Sequence, residues 1–220
     1  MDDSTEPSGS TVPPLLIACA LGIERFALRG AGGRRGGAPG PVTVLRTGMG
    51  PNNAQRALAR ALGDERQRGA AVVAAGFCAG LASGMHPGDL VVADETRGPW
   101  GVTPCTGTEL LMKELARAVP GRTVHHGPLT ASGHVVRGKE RAELAAMGAI
   151  AVDMESAATL HSALSAGARP VAAVRVVVDA PEHELVRIGT MRGGISAFRV
   201  LRAALPAFYE WHRSLLLPRR

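Results

Sequence analysis

Ala-Val-Asp-Met-Glu-Ser-Ala-Ala at residues 151–158 and Pro-Val-Ala-Ala-Val-Arg-Val-Val-Val-Asp at 170–179 decide the reading of the fold. In the first stretch a short strand, Ala149–Val152, is expected to run into a helix over Glu155–Ala166. In the second, an apolar strand over Pro170–Val178 ends on Asp179. Acids placed in this way collect at one edge of a sheet, where open α/β folds hold their ligands.

The same alternation extends outward. Strands are expected at Leu15–Leu21, Val42–Thr47, Ala70–Ala75, Leu90–Ala93 and, as an extended segment, Thr123–Thr130. Residues 22–28 read as a short helix or loop, and 30–40 as a Gly/Arg-rich loop. Pro51 opens a helix at a position where its missing N–H costs nothing. Ala54, Ala57, Leu58, Ala61 and Leu62 then fall on one helical face. Thr106 and Glu109 have capping-box spacing for a helix through Val119. Lys139–Met147 reads as helical. A final helix is expected from about Gly194 to Leu217, with Pro206 as a kink. The pattern predicts a single-domain, three-layer α/β/α sandwich around a mixed, largely parallel sheet. Residues 14–220 are expected to form the catalytic domain. Residues 1–13, acidic and rich in Ser, Thr and Pro, read as a disordered tail without the basic start of a signal peptide.

The 220 residues are 45% hydrophobic but only 3% aromatic, so the core must be built from Ala, Val and Leu. The net charge is +6, supplied almost wholly by scattered arginines. No aromatic-interleaved basic stripe accompanies them, so nucleic acid is not an expected partner. Cys19, Cys78 and Cys105 are widely spaced, with neither a disulfide framework nor zinc-ligand spacing. A reducing cytoplasm fits that usage, and no cofactor or metal is implied. No apolar run approaches the ~20 residues that span a bilayer.

Three carboxylates argue for cleavage of an N-glycosidic bond. Asp179 reads either as a turn or cap residue or as a general acid. A purine leaves poorly as an anion and well once N7 is protonated, and a partly desolvated Asp can carry that proton. Glu155 reads either as a first-turn carboxylate stabilised by the helix dipole or as the acceptor for the 2′- and 3′-hydroxyls of a ribose. Glu24 reads either as a solvated partner of a neighbouring Arg or as the group that orients and deprotonates a water. Met154 is core filling or packs on the sugar. Gly48-Met49-Gly50 ahead of a helix is a structural turn, or lets backbone N–H groups approach an anion or a hydroxyl.

Together these residues resemble the nucleoside phosphorylase/nucleosidase superfamily, from about Leu15 onward. Val152-Asp153-Met154-Glu155-Ser156-Ala157 is similar to its ribose-binding motif. Thr47-Gly48-Met49-Gly50 is similar to its second glycine turn. Gly76-Phe77-Cys78-Ala79-Gly80-Leu81, followed by Pro87-Gly88-Asp89-Leu90, is similar to its Gly-rich strand end and the strand after it. Val174–Asp179 is similar to the strand carrying the purine acid, and Glu24 matches the water-activating carboxylate. The resemblance implies catalytic Asp179 and Glu24. It implies a substrate site built from Glu155, Met154, Phe77, Cys78, Gly48, Gly50, Val136 and Val152, with the base near Ser132–Arg137. It further implies a purine nucleoside as small-molecule partner and a homo-oligomer, with phosphate as co-substrate if the chain is a phosphorylase. The nearest branch is the hopanoid-associated one, which implies release of adenine from adenosylhopane. Methylthioadenosine/S-adenosylhomocysteine nucleosidase and purine nucleoside phosphorylase are the alternatives.

Phe77 stands where the family often has a small or hydroxyl residue, and Val178 where it has Ser. Ala74 stands where phosphorylases place a phosphate-binding Arg, which favours water as nucleophile. A non-catalytic nucleoside-binding module is a competing reading. Another uses the C-terminal helix: Phe208, Trp211 and Leu215–Leu217, interleaved with arginines, either cover the sheet or make a peripheral membrane contact.

Overall fold

The computed structural model describes residues 12–29, 37–180 and 190–217, with side chains of the last segment from Ser196 onward. Most of the expected tail, Arg34-Arg35 and Arg219-Arg220 lie outside the described residues.

The elements in chain order are β1 (Leu15–Cys19), α1 (Gly22–Arg29), β2 (Val42–Arg46), α2 (Pro51–Leu62), β3 (Ala71–Gly80), β4 (Leu90–Gly98) and β5 (Gly101–Pro104). They continue with α3 (Thr108–Ala118), β6 (Val124–Ala131), α4 (Gly138–Ala146), β7 (Ala151–Asp153), α5 (Ser156–Ser165), β8 (Val171–Asp179) and α6 (Thr190–Leu215). This is the expected α/β architecture, a mixed sheet flanked by helices. The strands run β2-β1-β3-β7-β6-β4-β5, and β8 pairs with both β3 and β4.

The pairings close a ring that the sequence pattern did not reveal. β8 lies parallel to β3 and antiparallel to β4; β4 continues through β6 to β7, and β7 returns antiparallel to the end of β3. β3 accordingly extends through Gly80 instead of stopping at Ala75, and its last residues pair with Ala151 and Val152. That closure brings the Gly-rich end of β3 beside the Met154-Glu155 segment.

Alternate residues of β1 serve two cores, because successive side chains on a strand point to opposite faces. Leu15 and Ile17 join the layer under α1, α3 and α6, whereas Leu16 and Ala18 join the layer under α2 and α5. Both layers are rich in Ala, Val and Leu. Phe208 and Trp211 supply the bulk on the α6 side.

Two local expectations need correction. Gly107 in a left-handed conformation, not Thr106, is the N-cap of α3, and no side chain caps it. Thr106 is instead held in tertiary contacts: its carbonyl accepts the Trp211 indole N–H at 2.7 Å. The same bond decides the C-terminal helix. Trp211 is 0% exposed and Phe208 is equally buried, so this face covers the sheet and Trp211 is not available to a membrane. Among the described residues no helix is long and apolar enough to cross a membrane.

Candidate active site

A cavity of about 240 Å³ opens where β1, β3, β7 and β8 end. Glu24, Glu155 and Asp179 all line it, with Phe77, Cys78, Val136, Val152 and Met154 between them. Eight of the ten expected site residues therefore converge. Gly48 and Gly50 do not line the cavity; Met49 between them does. Gly50 has φ 88°, which suits glycine, and it caps α2 immediately before Pro51.

Glu24 sits on the first turn of α1 and is 2% exposed. The N–H groups of Ala20 and Leu21 donate to its Oε2 at 2.9 and 2.7 Å, and that of Phe77 donates to Oε1 at 2.8 Å. The solvated surface reading of Glu24 is thereby replaced by a buried carboxylate pinned by backbone donors. Burial pushes its pKa above the ordinary 4.5, with Arg175 and the three N–H groups opposing.

Glu155 does not cap α5 with its side chain, although it occupies the N-cap position. Its Oε1 instead accepts the Gly50 N–H at 2.8 Å, joining the β7 end to the glycine turn. That N–H is therefore taken by the protein and is not offered to a ligand. Burial raises the Glu155 pKa, Arg175 opposes, and the Asp153 charge adds to the rise.

The cap of α5 is Asp153. Its Oδ1 accepts from the N–H groups of Glu155 and Ser156, and its Oδ2 accepts from Ser156 Oγ. Arg175 Nε reaches the same Oδ2 at 2.6 Å. Arg175 is 1% exposed in the middle of β8. Burial works against its charge, but Asp153, Glu155 and Glu24 outweigh it and push its pKa up. A single guanidinium thus serves three carboxylates of the site. It had a sequence signal: an Arg inside an otherwise apolar buried strand needs a partner, because unpaired buried charge is too costly. Gly76 is needed for the same arrangement, since a Cβ there would overlap Arg175 Nη1 and Glu24 Oε1.

Asp179 ends β8 as expected, but it is not a lone desolvated carboxyl. Arg141 Nη2, from α4, lies 2.8 Å from its Oδ2, with the two side chains 7% and 17% exposed. Arg141 was invisible to the sequence reading because nothing local links α4 to β8. In the 132–137 stretch, Val136 is buried against the cavity and Val135 is exposed at its mouth. His134 also lines the cavity and pairs with Glu140 at 2.9 Å.

Cys78, in the wall, is buried and its thiol pKa is pushed up; burial likewise pushes Cys19 and Cys105 up to about 12. Of the three, only Cys78 lines the cavity, and burial disfavours its thiolate.

Comparisons with known proteins bear on the fold and the family. The methylthioadenosine/S-adenosylhomocysteine nucleosidase of Neisseria meningitidis, solved with methylthio-immucillin-A, superposes with a TM-score of 0.73 at 20% identity, covering 89% of this chain and 97% of its own. The S-adenosylhomocysteine nucleosidase of Streptococcus pyogenes gives 0.74 at 20% identity, covering 92% and 98%. The futalosine hydrolase of Helicobacter pylori gives 0.69 at 16% identity, covering 93% and 99%. At these identities the likeness is one of fold. No curated protein matches the sequence significantly. The family model of the phosphorylase superfamily matches residues 35–206, most of the chain and all of the sheet beyond β1, so this protein belongs to that superfamily as one of its enzymes.

Proposed function

We propose that the protein cleaves the N-glycosidic bond of a 5′-substituted adenosine and releases adenine. The observation that carries this reading is the convergence of Glu24, Glu155 and Asp179 on one largely apolar cavity. Glu155 accepts the ribose 2′- and 3′-hydroxyls, and its charge favours the oxocarbenium-like sugar. Asp179 protonates purine N7 as the C1′–N9 bond breaks and its electron pair passes into the ring. Glu24, its pKa raised by burial, takes the proton of a water that bonds to C1′. Arg175, paired with Asp153, compensates the charge of Glu24 and Glu155.

Water is the preferred nucleophile. Glu24 supplies a base, and the position of the phosphorylase Arg is Ala74, fully buried within β3. For the 5′-group, the preferred substituent is long and apolar, as in adenosylhopane. Met49 and Val135, which line the cavity, are 64% and 65% exposed, and α1, which carries Glu24, also exposes Ile23 and Phe26 at 50% and 69%. Exposed apolar side chains clustered at a cavity mouth favour an apolar ligand or partner. The same rim would serve a homo-oligomer contact.

The test is incubation with methylthioadenosine, adenosylhopane and adenosine, each with and without phosphate, with adenine release as readout. Release from adenosylhopane without phosphate supports the full reading. A strict phosphate requirement makes the protein a phosphorylase. No release from any of them, with nucleoside still bound, leaves a binding module.

A further inference from the structure

From Arg25 through Gly63 the sequence carries seven arginines and no acidic residue. The fold gathers three of them. Arg25 and Arg29 on α1 face Arg46 at the end of β2 across a groove of about 800 Å³, whose far wall carries Tyr209 of α6. Its floor is β2, which pairs only with β1 among the described strands.

Among the described residues, none of the three guanidinium groups has a side-chain hydrogen bond or an ion pair. Arg25 Nε is shielded from solvent and has no acceptor. A buried donor without a partner costs free energy that an incoming acceptor would recover. Arg46 reaches the start of α1, the helix that carries Arg25 and Arg29: its Nη1 would lie 3.7 Å from a Cβ built at Gly22. Like charges held together in this way are relieved by a multivalent anion, and the guanidinium fork matches phosphate oxygens.

The groove is separate from the catalytic cavity and shares no lining residue with it. α1 divides them: Glu24 faces the cavity, and its neighbour Arg25 faces the groove.

We propose that this groove is a binding site for a phosphate-bearing polyanion of the di- or triphosphate class. Three guanidiniums match two or three phosphoryl groups better than one.

The experiment titrates the full chain with pyrophosphate and tripolyphosphate by calorimetry at fixed ionic strength, with sulfate as a single-anion control. The wild type is compared with the double variant Arg29→Gln/Arg46→Gln and, as a control for loss of a surface charge outside the groove, with Arg60→Gln on α2. Arg29 and Arg46 are exposed, so the variant is expected to keep its fold, which circular dichroism checks. Saturable pyrophosphate or tripolyphosphate binding, tighter than sulfate, that weakens at least about tenfold in the double variant and not in Arg60→Gln is the expected result. A parallel arm sediments the protein with phosphatidylglycerol or phosphatidylcholine vesicles. Arginine-dependent retention on phosphatidylglycerol alone, without binding of the soluble anions, overturns the di- or triphosphate assignment and puts a lipid headgroup in its place. Absence of both kinds of binding, or binding that the double variant leaves unchanged, overturns the proposal. Adenine release enters none of these readouts, so the outcome is independent of the catalytic reading.

Discussion

Arg175 Nε lies 2.6 Å from Asp153 Oδ2, and both side chains are 2% exposed. The pair ties the centre of β8 to the start of α5 inside the protein. Breaking a buried ion pair by removing one partner typically costs ~3–5 kcal/mol, because the other charge is left without compensation. Arg175→Met should lose about that much in urea unfolding. It should also disorder the site, since Glu24 and Glu155 lose their shared counter-charge. Wild-type stability in this variant would show that the three carboxylates do not depend on the guanidinium.

Glu24 must be ionised to accept a proton from water. Its pKa is raised by burial, so hydrolysis should fail on acidification at a pH above 4.5, the ordinary Glu value. A pH profile of kcat/KM measures this. Stability has the opposite sign: the contribution of a carboxyl with a raised folded pKa is fully present below 4.5 and is lost as pH rises through the raised value. Glu155, shifted in the same direction, adds to the trend. Glu24→Gln should therefore abolish hydrolysis while flattening the decline of Tm above pH 4.5.

Asp179→Asn should fold and lose most turnover, because an amide cannot deliver a proton to N7. Arg141→Gln separates positioning from catalysis. It removes the 2.8 Å partner of Asp179 and should reduce turnover less than Asp179→Asn does, while lowering thermal stability more. Equal turnover in Asp179→Asn and wild type would end the role of Asp179 as acid.

Glu155→Gln should weaken discrimination between ribosides and 2′-deoxyribosides. A hydrogen bond to a charged group is worth roughly 1.5–3 kcal/mol, or about ten- to a hundredfold in relative kcat/KM. An unchanged preference would mean that this carboxylate serves only its bond to Gly50.

Gly76→Ala should damage activity more than an ordinary strand substitution. The added methyl meets Arg175 Nη1, on a buried guanidinium held through its Nε by Asp153, and Glu24 Oε1, held by the Phe77 N–H. Reduced Tm together with lost hydrolysis is the expected pair of readouts. A crystal structure of the variant with Glu24 undisplaced would contradict it.

The sequence by itself determined seven of the eight described strands, all but β5, most of the helices and the carboxylates at the strand ends. Each rests on a local rule: the continuous apolar run of β1, Pro51 opening a helix after a glycine turn, and a carboxylate closing the apolar run of β8. Glu24, Glu155 and Asp179 were legible for that reason, and the family motif around Met154 strengthened the reading. Only the tertiary structure decided what those acids face. The closure of β7 onto β3, the Arg175 contacts beneath Gly76, the Arg141 partner of Asp179 and the Trp211 anchor to Thr106 all join residues far apart in the chain. Such contacts leave no periodic trace, since their energy comes from burying charge and hydrogen-bonding groups together in one place. Arg175 shows the boundary between the two. Its position in an apolar strand announced that a partner must exist, and the fold alone named Asp153.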